Sequence, residues 1–104
     1  IPEQMLEDIQ KSVRLASESM DGAMVIPGGA AMMNLWKSGV EQIHRDTFHA
    51  SLGCGRYVLA LTWYLALTGH DVEQNTFRGF DVPVSETEVQ LAKAAAVRAV
   101  EYGR

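Results

Sequence analysis

Two residues with complementary acid and base chemistry stand close together near the middle of the chain. Asp46 lies three positions before His49, in a D-T-F-H stretch. This spacing can place both side chains on the same side of a helical turn or a tight loop. The carboxylate can then hold the imidazole in one tautomer and stabilise the positive charge that forms when the ring takes a proton. Asp46 and His49 are therefore candidates for the acid and the base of a serine-hydrolase triad.

The nucleophile of such a triad is not evident in this chain. Ser51 is the serine nearest to the pair, two residues past His49, and we predict that it caps the segment that follows. Cys54 is the single cysteine, so an internal disulfide is impossible. We interpret Cys54 as a small residue in a tight Gly-Cys-Gly turn, because no neighbouring cation is placed to activate its thiol.

Two other interpretations of the pair stay open. Asp46 can be a capping acid and His49 a partly buried structural histidine. Alternatively, His44, Asp46 and His49 have side chains that suit zinc. The spacing of the first two is not helical and no fourth ligand suggests itself, so we predict no metal and no cofactor.

Composition places the chain among ordinary globular proteins. Its 104 residues, 47% hydrophobic and 21% charged, fit one domain with one modest core. The formal net charge is −4, and the nine Lys and Arg residues are scattered, which argues against a nucleic-acid partner. The start of the chain lacks the basic and long apolar segments of a signal peptide. The first residue is not Met, so this start can be a processing or cloning boundary.

The periodicity of apolar residues predicts four helices. The first runs from Pro2 to about Met20, and the second from Ala30 to Ser38. The third begins at Gly55 or Arg56 and ends at Leu67 or Thr68, before Gly69. The fourth follows a capping box with the sequence S-E-T-E at residues 85–88.

The third helix is apolar on nearly every side. It is far shorter than the roughly 20 residues that a bilayer requires, so we predict no membrane partner and a central place in the core. We expect four of its residues to be buried: Tyr57, Leu61, Tyr64 and Leu65.

A short apolar run, Ala23–Ile26, is closed by a P-G-G turn and flanked by helices. This pattern predicts a buried parallel strand. The chain offers no second convincing strand, and the backbone groups of a buried strand need partners. We therefore predict that the chain is part of a larger α/β domain.

Three blocks of the chain resemble the C-terminal half of the SGNH (GDSL-like) hydrolase superfamily, most nearly a bacterial SGNH-type domain of unknown function. Residues 27–34 are similar to a P-x-G-x-A-x-x-N stretch. Asp46 to His49, with Ser51, is similar to the D-x-x-H block. Residues 55–69 are similar to the G-x-Y-x-x-A helix that follows the catalytic histidine. The blocks that carry the serine and the oxyanion-hole Gly and Asn are absent from this sequence.

The resemblance implies a fold, a role and a partner for the chain. Residues 1–104 are expected to form a single partial domain, helix-dominated with one parallel strand, from a three-layer α/β/α (flavodoxin-like) fold. Asp46 and His49 are expected to serve the hydrolysis of an ester, such as an O-acetyl ester of a carbohydrate. The missing half of the domain is the expected partner, with a homo-oligomer, by default a dimer, as the other option. Export of the parent protein in a bacterium stays open, as does the compartment.

A non-catalytic function is the alternative. The chain can be a truncated gene product whose exposed core surfaces drive self-association. Upstream coding sequence with a G-D-S block favours the esterase, whereas a start codon just before Ile1 favours the self-association module.

Overall fold

The computed structural model describes residues 2–20, 24–44 and 49–102, and their regular structure consists of four helices. They are α1 (Pro2–Ser19), α2 (Gly28–Lys37), α3 (Cys54–Thr68) and α4 (Glu86–Tyr102). The only extended pairing within the described residues is one isolated antiparallel bridge between His44 and Ala50. This part of the protein is therefore helix-dominated, and the helix positions predicted from the sequence are confirmed.

The helix ends follow local chemistry. The predicted capping box at the start of α4 is confirmed: the Ser85 hydroxyl accepts the Glu88 amide at 3.1 Å, and the Glu88 carboxylate accepts the Ser85 amide at 2.9 Å. At the end of α3, Gly69 adopts φ of +71° and donates its amide to the Leu65 carbonyl at 2.9 Å. A left-handed glycine is the usual stop of a helix, because other residues are strained there.

The core lies between α2, α3 and α4. Each helix contributes a side chain with no exposed surface: Leu35 from α2, Val58 from α3 and Val89 from α4. Helix α4 packs against both other helices, and its buried face carries small residues such as Ala92 and Ala96. Small side chains let the three helix axes approach closely, which gives α4 its central place.

Helix α1 is attached to the rest of the protein mainly through α2. Its apolar stripe remains open, since Met5, Ile9 and Val13 are all exposed. The ion pair between Lys37 and Glu3 spans 3.3 Å, but both side chains are exposed, and such pairs contribute little stability. The described residues therefore leave a continuous apolar face on α1.

The burial predicted for α3 is confirmed on one side of the helix only. Tyr57 and Leu61 are buried and Leu65 is half-buried, whereas Tyr64 is 47% exposed. Its neighbour Trp63 is 54% exposed. The prediction for Tyr64 was wrong because helices α2 and α4 cover a single face of α3, and an all-apolar sequence cannot indicate how many neighbours are present.

The predicted parallel strand Ala23–Ile26 is not formed in the described residues. Ala23 lies outside them, and residues 24–26 have irregular backbone. A 2.8 Å hydrogen bond from the Gly28 amide to the Ile26 carbonyl turns the chain into α2. A strand needs a neighbouring strand to form its ladder, and the described part of the chain provides none. The strand layer of the predicted α/β fold is therefore not seen here.

Candidate functional site

His49 lies directly before residues 50–53, which are buried or half-buried. The residue after it, Ala50, forms the antiparallel bridge with His44, and the Ser51 amide donates to the Ile43 carbonyl at 2.8 Å. His49 itself is exposed. These two contacts join residues 43–44 to residues 50–51, and we name this paired segment the His49 stem. The exposed His49 is therefore attached directly to a segment that is held in place. Asp46, the predicted acid, lies outside the described residues.

Ser51 has the capping role that its position predicts. Its hydroxyl oxygen accepts the Gly55 amide at 2.8 Å, and its carbonyl accepts the Arg56 amide at 3.0 Å. The residue is only 9% exposed. A serine nucleophile must reach its substrate and lie beside a base, so Ser51 does not suit that role.

Gly55 makes the close approach between α3 and the His49 stem possible. A Cβ atom at this position would overlap the Ile43 carbonyl oxygen and would lie 2.8 Å from the Ser51 hydroxyl oxygen. Only glycine leaves room for both groups. The first turn of α3 therefore packs closely against Ile43 and Ser51, the two residues whose backbone hydrogen bond holds the His49 stem together.

Cys54, predicted to be a small residue in a tight place, begins α3 and is buried. It is 3% exposed, and its Sγ lies 3.5 Å from the Glu88 carbonyl oxygen, to which it donates. Burial, and secondarily the charge of Glu88, raise the pKa of the thiol from 9.0 to about 11. A thiol kept protonated at neutral pH is a poor nucleophile, so Cys54 does not supply the missing nucleophile.

We expect the Cys54 thiol of the folded protein to react slowly with a disulfide reagent at pH 8. The raised pKa, from 9.0 to about 11, lowers the thiolate fraction about 100-fold relative to the unfolded chain. Ellman's reagent, followed in buffer and in urea, measures the two rates. Equal rates would show that the thiol is accessible and ionises normally.

The described residues contain no group of three or more His, Cys, Asp and Glu side chains placed to hold a metal ion. The alternative zinc site of His44, Asp46 and His49 includes Asp46, which lies outside the described residues. Within those ranges, too, no helix has the length and apolar character of a membrane span.

A cleft of about 700 Å³ opens between α3 and the connection 69–85. We name it the α3 cleft. Its apolar lining comes from α3, from the turn before it and from the connection. The main apolar residues are Leu52, Tyr57, Leu61, Val72, Phe77 and Phe80. This cleft was not predicted from the sequence; Phe77 and Phe80 within the connection were the available signal.

Side chains fasten the connection to the helices beneath it. The Tyr57 hydroxyl donates to Asn75 Oδ1 at 2.7 Å, and Lys93 Nζ donates to the Glu73 carbonyl at 2.8 Å. Burial raises the pKa of Tyr57 above its usual 10.0, so its hydroxyl remains a donor at neutral pH. These bonds hold the wall of the α3 cleft in place although it has no regular secondary structure.

The polar rim of the α3 cleft carries uneven charge. Arg56 and Asp81 form an ion pair at 3.2 Å, which neutralises both. Asp71 accepts the Glu73 amide at 2.8 Å, and no basic side chain within the described ranges pairs with it. The rim therefore retains one uncompensated carboxylate.

Comparison with known proteins gives a family for the chain. None of the curated proteins and none of the solved structures matches it. The sequence model of one family, described as "Domain of unknown function (DUF4886)", matches residues 2–99. This match covers α1, α2, α3 and nearly all of α4. The chain therefore belongs to the DUF4886 family of domains of unknown function.

Proposed function

We propose that this chain is the C-terminal part of an SGNH-type serine esterase and that Asp46 and His49 are the acid and the base of its triad. The observation that carries the proposal is the position of His49. His49 is exposed and adjoins the His49 stem, which two backbone contacts hold together. The Ser51 hydroxyl accepts the Gly55 amide, and this bond joins the stem to α3. A general base needs this combination of access to substrate and a fixed support.

The proposed reaction is the hydrolysis of an ester, with an O-acetyl group on a carbohydrate as the proposed substrate. A serine from the missing half attacks the ester carbonyl while His49 accepts its proton. His49 then donates that proton to the departing alkoxide, which leaves an acyl-enzyme. In the deacylation step, His49 takes a proton from the attacking water and donates it to the serine oxygen when the carboxylic acid leaves. Asp46 orients the imidazole and stabilises its charged form.

The surface around α1 supports the proposed partner, the missing half of the domain. The backbone amides and carbonyls of Met24 and Val25 make no hydrogen bond with any described residue, and both side chains are exposed. Beside them lies a second cleft of about 660 Å³, lined partly by Leu6, Ile9 and Ile26. An open backbone edge next to an apolar groove suits an added strand. In the complete three-layer α/β/α fold that we propose, residues 23–26 become the parallel strand predicted from the sequence.

Hydrolysis of p-nitrophenyl acetate tests the function. The polypeptide that includes the upstream coding sequence, with a G-D-S block, is compared with the present chain. We expect turnover from the longer polypeptide only, because the present sequence lacks the serine and oxyanion-hole blocks. An upstream frame without a G-D-S block, or a longer polypeptide without esterase activity, would contradict the proposal. So would robust hydrolysis by the present chain that a serine-directed fluorophosphonate abolishes.

Self-association without chemistry is the second candidate, and the open apolar face of α1 favours it. Under either candidate we expect the chain by itself not to be a stable monomer. Exposed apolar faces promote association, and a two-fold dimer is the commonest closed assembly. Light scattering after size exclusion, at low micromolar concentration, measures the mass. A cooperatively folded species of strictly 11.4 kDa would contradict this prediction.

A matched pair of variants identifies the surface that associates. Ile9→Glu places a charge on the apolar stripe of α1, where Ile9 is 50% exposed. We expect it to shift the assembly toward monomer, since a buried unpaired charge is costly. Gln74→Glu is the control, since it adds the same charge at an exposed residue of the connection 69–85. An equal shift for both variants would indicate a general charge effect instead of a contact through α1.

A further inference from the structure

We propose that the α3 cleft binds a small ring compound that carries a protonated amine. This site is assigned from the cleft alone and does not depend on Asp46, His49 or the esterase proposal. Three properties of the cleft support it: its aromatic lining, the way in which its wall is held, and the charge on its rim.

The aromatic lining offers a surface for a flat ring. Phe80 meets Tyr57 edge to face at 5.2 Å between ring centroids, and meets Phe77 edge to face at 5.3 Å. Tyr57 is buried beneath them, whereas Phe77 remains 53% exposed. The cleft volume of about 700 Å³ lies within the usual range of small-molecule sites. An incoming ring can stack on Phe77 and Tyr64 without displacing the buried cluster.

The wall of the cleft is already fixed before a ligand binds. The connection 69–85 is long and irregular, and such loops in a compact domain are commonly functional. Here it is fastened to α3 through Tyr57 and Asn75, and to α4 through Lys93 and the carbonyl of Glu73. A pre-formed site avoids much of the entropy loss of binding. The polar bonds therefore maintain an open cleft instead of a collapsed loop.

The rim selects the charge of the ligand. Arg56 is paired with Asp81 at 3.2 Å, so the charges of these two exposed side chains nearly offset each other. Asp71 keeps one carboxylate oxygen bonded to the Glu73 amide, and no basic side chain of the described residues neutralises it. An ammonium group near Asp71 gains an attractive interaction, and the faces of Tyr64 and Phe77 add to it. An anionic ligand of the same shape is disfavoured.

The test uses two probes that share a phenylethyl group and carry opposite charges, 2-phenylethylamine and 3-phenylpropanoate. Each is titrated at neutral pH into the ¹⁵N-labelled chain, and amide chemical shifts are recorded. We expect the amine to shift amides of Gly53, Val72 and Phe77 and to bind at least about fivefold more tightly than the carboxylate. No shift at these amides with either probe, or equal affinity for both, would overturn the proposal.

Variants separate the role of the charge from that of the cavity. Asp71→Asn retains an acceptor for the Glu73 amide, and we expect it to reduce the preference for the amine to within about twofold. Asp8→Asn makes the same charge change on α1, where Asp8 accepts from Gln4, and should leave the preference intact. Ala60→Trp fills the cleft from an exposed position and should abolish the shifts from both probes. Undiminished binding to Ala60→Trp, or an equal effect of both Asp variants, would overturn the assignment.

Discussion

His49→Ala is expected to lower kcat/KM for p-nitrophenyl acetate by about 10⁴ to 10⁶-fold in the longer polypeptide that we propose to contain the complete domain. Loss of the proposed general base would leave the serine hydroxyl without a proton acceptor and the alkoxide without a donor. The change corresponds to about 5.5 to 8 kcal/mol of transition-state stabilisation. Steady-state kinetics measures it, with circular dichroism to confirm that the variant is folded.

His44→Ala is the matched control for this substitution. His44 is also exposed and belongs to the same stem, but its contact with Ala50 is made by the backbone. We expect the activity of this variant to stay within a few fold of the unsubstituted protein. Equal losses at both positions would mean that the stem is structural and that His49 has no separate catalytic role.

Leu61→Ala is expected to lower the free energy of unfolding by about 2 to 5 kcal/mol. Leu61 is 4% exposed on the face of α3 that packs in the core. Truncation removes its apolar contacts and leaves a cavity that the surrounding helices cannot fill completely. Urea unfolding followed by circular dichroism, at a fixed protein concentration, gives the difference.

Leu67→Ala provides the control for Leu61 on the same helix. Leu67 is 59% exposed near the end of α3, so we expect its truncation to cost less than about 0.5 kcal/mol. A similar loss at both positions would show that the outer side of α3 is covered by an assembly. A loss below about 0.5 kcal/mol at Leu61 would mean that the core does not lie where the structure places it.

The His49 stem and the core are linked through one glycine. Since a Cβ at Gly55 would overlap the Ile43 carbonyl, substitution there moves either the start of α3 or the stem. The proposed base therefore depends on a residue six positions away that has no chemistry of its own. Its place in the predicted G-x-Y-x-x-A block has a physical reason in this close approach.

The sequence by itself determined the features that depend on near neighbours along the chain. The four helices follow from apolar spacing, and the ends of α3 and α4 follow from Gly69 and the capping box. The capping role of Ser51 was likewise predicted from local context. These features need no distant partner, because their hydrogen bonds join residues within a few positions.

Only the tertiary structure decided the features that depend on distant residues. The exposure of Tyr64 reflects how many helices cover α3, and the irregular backbone of residues 24–26 reflects the lack of a strand beside it within the described chain. One wall of the α3 cleft is attached to α4 by Lys93, which lies 20 residues from Glu73 and donates to its carbonyl. A hydrophobic pattern shows that a side chain favours burial, but the surface that buries it comes from another part of the chain or from a partner.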